Sequence, residues 1–187
     1  MKVIIIEGTD NVGKDSLISK ILEEFPTTTL IHCSVPYARN NKIAAKEQDV
    51  LFQSYVDAIN RGDYNKTHCV ILNRSWIGEY VYGVMYRNRD ENDISIKINN
   101  WERELINNSN AVYYIQLLSS SSKLLQQNED NKSLSNGDEN KIIEETQRFE
   151  NIFKLSIIPH KKLIYVNEND KFKSKENIQH SVLKFIK

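Results

Sequence analysis

The chain has no long apolar run: nothing in its 187 residues approaches the roughly 18 consecutive apolar residues that a membrane-spanning helix needs. It is also poor in cysteine. The two present, Cys33 and Cys69, each sit in a strand-like apolar stretch and read as small buried hydrophobes, so neither a disulfide nor a thiolate metal site is expected. Nor is there an excess of charge of one sign. Lys and Arg together number 25 and Asp and Glu number 25, so no global field draws nucleic acid or an anionic membrane. That balance disfavours a polynucleotide substrate. No leader-like segment precedes the first apolar strand, which makes a reducing cytoplasm the expected location. No internal repeat or internal boundary is visible, and the length suits one domain over residues 1–187 with a substantial core.

What is present is concentrated in the first sixteen residues, MKVIIIEGTDNVGKDS. Val3-Ile4-Ile5-Ile6 is a β-branched run that fits a strand buried on both faces. It leads through Gly8-Thr9-Asp10-Asn11-Val12-Gly13-Lys14-Asp15-Ser16 into SLISKILEEF, where Leu17, Ile18, Ile21 and Leu22 share one helical face. Strand, glycine-bounded loop and helix in that order frame a P-loop. Gly8 and Gly13 let the backbone turn its N–H groups inward on a phosphate, with Asn11 between them. Lys14 is placed to reach the β- and γ-phosphates, and the helix N-terminus adds roughly half a positive charge. One position departs from the motif. The hydroxyl expected on Mg²⁺ directly after the lysine is replaced by the carboxylate of Asp15, with Ser16 one place later.

Downstream, strands alternate with helices. Strand-like runs occur at Thr28 to Cys33, Cys69 to Leu72, Val112 to Leu117 and Leu163 to Val166; helical spacing covers Lys42 to Ile59, part of Ile77 to Met85, Ile94 to Ile106, Glu139 to Lys154 and Lys175 to Phe185. The expectation is an α/β fold with a five-stranded parallel sheet and helices on both faces. The polar stretch 119–138 is expected to be mobile in its second half. In such a sheet ligands collect beyond the carboxyl ends of the strands. That brings the P-loop, the Pro36 loop, Asn73-Arg74 and the loop after Leu117 to one rim, where the guanidinium of Arg74 can hold a phosphate in two parallel bonds.

IEGTDNVGKDS, LNRSWIGEYVYG and NGDENKI, in that order, resemble the thymidylate kinase-like P-loop nucleoside monophosphate kinases, most of all the short versions carried by bacteriophages. The resemblance implies a single-domain P-loop kinase fold with a lid at about 119–138. It implies phosphoryl transfer from MgATP to a (deoxy)nucleoside monophosphate, dTMP or a related pyrimidine deoxynucleotide, in the host cytoplasm if phage-encoded. Small nucleotides are the expected partners, and a homodimer is consistent with the family. Asp10 matches the P-loop carboxylate near the acceptor, Lys14 the phosphate lysine and Arg74 the arginine that grips the acceptor phosphate. Lys132 is the candidate lid cation over ATP. For Asp10 the alternative is a turn residue before the helix; for Arg74 it is a surface ion pair. Glu79, Tyr80 and Tyr82 belong to the family stretch but read equally as core. Arg87 and Arg89 suit a solvated face better than an acceptor phosphate, and Phe52 and Tyr55 suit the core better than a base stack. His32 and His68 read as structural, leaving no histidine at the rim.

The family's Asp-Arg pair is Asn73-Arg74 here, while the P-loop has gained Asp15. Both positions lie where Mg²⁺ would sit, so Asp15 and Asn73 are the candidate metal residues, with Asp15 supplying the anionic contact that residue 73 lacks. Competing readings are a deoxynucleoside or polynucleotide 5′ kinase, disfavoured by the missing carboxylate at position 73, and a non-catalytic nucleotide-binding module. A GTPase switch fits poorly, because Asn131-Lys132-Ser133 lacks the aspartate of a guanine-binding motif.

Overall fold

The structure, a computed structural model, describes residues 1–33, 41–108, 111–128 and 133–187. Five parallel strands form the central sheet: β1 (Lys2–Gly8), β2 (Thr28–His32), β3 (Cys69–Asn73), β4 (Ala111–Leu118) and β5 (His160–Tyr165), in the order β2-β3-β1-β4-β5. Their neighbours are α1 (Lys14–Glu24), α2 (Asn41–Arg61), α3 (residues 76–87), α4 (Glu91–Asn108), α5 (Ser122–Gln127), α6 (Glu139–Leu155) and α7 (Lys175–Ile186). A two-stranded antiparallel hairpin, β6 (Asn167–Glu168) and β7 (Lys171–Phe172), lies between β5 and α7.

The unbroken apolar run of β1 is explained by its two faces. Val3 and Ile5 join a core with Phe52, Trp76, Trp101 and Phe149 on one side of the sheet. Ile4 and Ile6 join Leu17, Ile18, Ile21 and Val182 on the other. The sheet is therefore dry on both sides, as a parallel sheet covered by crossover helices must be. The register sets the rim: Ile6 pairs with Asn73, which pairs with His32, while Gly8 pairs with Leu117.

Helix α3 is one helical path with a change of pitch. An α-turn at Trp76–Gly78 widens into a π-helical segment at Glu79–Gly83 and returns to α-geometry at Val84–Arg87. Gly83 leaves room for the Glu79 carboxylate, since a Cβ there would lie 2.7 Å from Glu79 Oε2. Such π segments are frequent at functional sites. Within the polar stretch 119–138, α5 is a short helix capped by Ser121, whose Oγ accepts from Leu124 N. Neither α5 nor the β6–β7 hairpin is signalled by sequence periodicity, both being too short to show one.

Candidate functional site

The turn between β1 and α1 is built by conformations that few residues tolerate. Gly8 has φ +141°, and a Cβ there would stand 1.8 Å from the Leu117 carbonyl oxygen on β4. Asn11 and Gly13 also take positive φ, 61° and 86°. The first N–H groups of α1 have no partner within the helix and face the same concavity, the arrangement of an anion nest. Lys14 closes it from below. Its buried ammonium donates to the carbonyls of Gly8 (2.8 Å) and Thr9 (2.5 Å) and lies 3.8 Å from Asp10. Burial pulls its pKa down, and the Asp10 carboxylate opposes that shift. In front of the loop opens a cleft of about 550 Å³, a volume within the range of small-molecule sites. It is lined by Asp10, Lys14, Asp15, Ser16 and Arg74 together with Asn128, Ser133 and Lys175.

Arg74 has φ 61°, which turns its side chain out of the strand line to donate to Asp10 Oδ1 at 2.9 Å. It lines the cleft and also a smaller second pocket of about 50 Å³ behind it, so it stands between the two. The second pocket is walled by Glu7, Gln48, Phe52, Tyr82, Arg87 and Leu134. Tyr82 is buried there and its hydroxyl has no partner among the described residues.

Asn73 and Asp15 meet at the rim. Asn73 Nδ2 donates to Asp15 Oδ1 at 3.3 Å and lies 3.0 Å from His32 Nδ1, while its buried Oδ1 is unpartnered among the described residues. The pair expected from sequence to share a metal is thus in contact. The donor set fits Mg²⁺, which takes one or two carboxylates and draws its remaining oxygens from water and substrate phosphate. His32, expected to be structural, is instead exposed at the end of β2 on this rim, because its register partner is Asn73.

Arg87 and Arg89 correct the expectation of a solvated face. Both pair with Glu79, Arg89 Nη1 at 3.4 Å, and Arg89 also pairs with Asp49 on α2. Lys97 on α4 extends the cluster to Asp49 at 2.7 Å. The Arg89 side chain is only 3% exposed, so the network ties α2 and α4 to the π segment at the wall of the second pocket. Tyr80 donates to Glu91 at 2.6 Å and serves the core. Phe52 is core and pocket wall at once, edge-on to Trp76 and Trp101. Tyr55 packs against the same core, and Cys33 and Cys69 are free thiols. His68 is exposed before β3, its N–H donating to the Thr27 carbonyl. Lys132 and the Pro36 loop lie outside the described residues.

Sequence reasoning missed Glu7. It is 1% exposed and accepts from the Ser75 amide and hydroxyl, the latter at 2.9 Å. Burial raises its pKa to about 7 against the opposing pull of Ser75, Lys14 and Arg74. The signal was a lone carboxylate ending a strand buried on both faces. A carboxyl poised near neutrality in a pocket can exchange a proton with a bound hydroxyl.

The sheet order, the glycine-bounded turn between β1 and α1 and the crossover helices define a P-loop kinase fold. Solved structures of the same shape bear this out. The YorR protein of Bacillus subtilis, solved in complex with phosphorylated GDP, superposes with a TM-score of 0.67 at 14% identity, over 98% of this chain and 95% of that one. Thymidylate kinase from Candida albicans gives a TM-score of 0.61 at 13% identity, covering 98% and 90%. Deoxyadenosine kinase from M. mycoides with bound dATP gives 0.60 at 15%, covering the whole of both chains, 100% and 100%. At such identities the likeness carries the fold. No protein-family model matches the sequence, and no curated protein matches it.

Proposed function

We propose that this protein transfers a phosphoryl group from MgATP to a (deoxy)nucleoside monophosphate, dTMP or a related pyrimidine deoxynucleotide. The observation that carries this reading is the place of Arg74 between the P-loop cleft and the second pocket. A guanidinium there can hold an acceptor phosphate in line with the terminal phosphate of a donor, and phosphoryl transfer is mostly such positioning and charge neutralisation. Gly8, Asn11, Gly13 and Ser16 cradle the donor phosphates. Lys14 exchanges the carbonyls of Gly8 and Thr9 for the β- and γ-oxygens. Asp10 orients Arg74 and Lys14 through its contacts at 2.9 and 3.8 Å. Asp15 and Asn73 would hold Mg²⁺, which when bound spreads the charge of the phosphates. Segment 119–138 forms the lid that excludes water, with Lys132 as its cation.

Glu7 favours a second reading, in which the acceptor is a nucleoside hydroxyl and Glu7 removes its proton. One assay separates the two: ADP formation from MgATP with each common nucleoside monophosphate, each matching nucleoside and a 5′-hydroxyl oligonucleotide, with Lys14→Ala as the blank. Turnover on the order of 1–100 s⁻¹ with one pyrimidine monophosphate supports the first reading. Turnover with nucleosides alone, lost in Glu7→Gln, replaces it with the second. ATP binding without turnover on any acceptor rejects both in favour of a non-catalytic module.

A further inference from the structure

Ser133 lines the P-loop cleft and its neighbour Leu134 lines the second pocket, so one short turn faces both. The turn is built rather than loose. Asn136 N donates to the Ser133 carbonyl and Asp138 N to the Ser135 carbonyl, at 3.3 and 3.0 Å. Asn136 and Gly137 take positive φ, and Gln126 of α5 donates to the Gly137 carbonyl at 2.9 Å. Asp138 then caps α6 by accepting from Asn140 N and Lys141 N. Ser135 is buried, which pins the middle of the turn. The stretch is otherwise polar, and its other leucines, Leu124 and Leu125, are buried beneath α5. Leu134 alone of these remains 45% exposed, an apolar side chain lining a pocket that Phe52 and Tyr82 also line.

We propose that Leu134 is an acceptor-sensing residue: it packs on the apolar face of the acceptor nucleotide and so couples acceptor occupancy to closure of the same turn over the donor. This rests on the kinase reading above. A contact made only when the acceptor is present draws the turn inward, and Ser133, one residue away, moves with it against the donor. By linkage each ligand must then tighten the other by the same factor. The acceptor therefore needs an apolar ring face at this wall, which a base or deoxyribose has and inorganic phosphate lacks.

The test measures ADP affinity by calorimetry with and without saturating dTMP, alongside steady-state transfer from ATP to dTMP. The wild-type protein should bind ADP about fivefold or more tightly in the presence of dTMP. In Leu134→Ala that ratio falls towards one. The KM for dTMP rises about fivefold, the loss expected when roughly half of a leucine side chain no longer becomes buried. The share of ATP lost to water should also rise. Leu134→Met, which keeps the apolar contact, should restore the coupling, and Leu134→Ala should lower the melting temperature by no more than a few degrees, because the side chain is only about half buried before the acceptor binds. A ratio unchanged by Leu134→Ala, a wild-type ratio of one or no rescue by Leu134→Met overturns the inference. Wild-type protein that leaves dTMP unphosphorylated overturns the dTMP kinase reading itself, whatever the binding ratios.

Discussion

Replacing Glu7 by glutamine removes a charge from the driest carboxyl position at the site while keeping its shape. Glu7 titrates at about 7 in the folded protein against 4.5 in its ordinary state. Between those values the folded protein holds a proton that the unfolded chain has released, so stability falls as pH rises from 4.5 to about 7 and is level on either side. At 1.36 kcal/mol per pH unit the penalty above pH 7 is about 3 kcal/mol. Glu7→Gln carries no such penalty. Its amide brings a pH-independent cost of about 1 kcal/mol for an extra donor without an assigned partner. That offset cancels when the wild-type and variant proteins are compared at two pH values. The expected result from urea unfolding is a stability difference that moves by about 3 kcal/mol in favour of Glu7→Gln between pH 4 and pH 8, equivalent to roughly 6–12 °C in melting temperature. The measurement is made with EDTA and without phosphate, because either a cation or an anion at the P-loop would change the field on Glu7. A difference that stays constant across this range would mean that Lys14, Arg74 and the Ser75 hydrogen bonds cancel the effect of burial, so that Glu7 titrates at its ordinary value in the folded protein too. That result would also remove the basis for treating Glu7 as a proton acceptor.

Arg74→Ala should raise the acceptor KM and lower kcat, with a combined loss of about 10²–10³ in kcat/KM and little change in donor KM; equal losses on both substrates would contradict its place between the pockets. Asp15→Ser alone should depress activity, and Asn73→Asp added to it should recover much of the loss, since the second change returns a carboxylate to the rim. Additive losses in that double-mutant cycle would show that the two positions do not share a metal. Gly8→Ala forces a side chain onto the Leu117 carbonyl at a φ of +141°, so it should destabilise the fold by more than about 2 kcal/mol in denaturant titration. A near-wild-type midpoint would mean that β1 and β4 can part at that point.

The parts of this fold that could be read in advance are those whose cause is local. The run Val3 to Ile6 announces a strand covered on both faces because alternate residues serve two cores. The spacing of Leu17, Ile18 and Ile21 announces the helix that covers one of them. Gly8 and Gly13 sit where the chain takes positive φ. The parts that could not be read depend on partners far along the chain. Arg89 looks like a solvated charge within RNRD, but Asp49, forty residues earlier on α2, draws it into the interior. His32 looks like a strand residue, and only the pairing of β2 with β3 sets it beside Asn73. The same holds for Leu134, which is unremarkable in a polar stretch until the turn at Asn136 and Gly137 aims it at a pocket formed by β1, α2 and α3.

Positions 15 and 73 show how far local reasoning can reach when charge is the quantity followed. Against the kinase pattern that the sequence resembles, the amide at the end of β3 and the carboxylate at the start of α1 look like two unrelated departures, fifty-eight residues apart. Their side chains touch at 3.3 Å, with the amide of Asn73 donating to the carboxylate of Asp15. Two carboxylates at this distance would repel and one would have to take up a proton. Carboxylate and amide instead hold each other in place, with the Asn73 carbonyl oxygen buried and unpartnered among the described residues. An unpaired buried oxygen costs about 1–3 kcal/mol. In the proposed function the partner of that oxygen would be the Mg²⁺ held with Asp15, and the Asp15–Asn73 double-mutant cycle tests this directly.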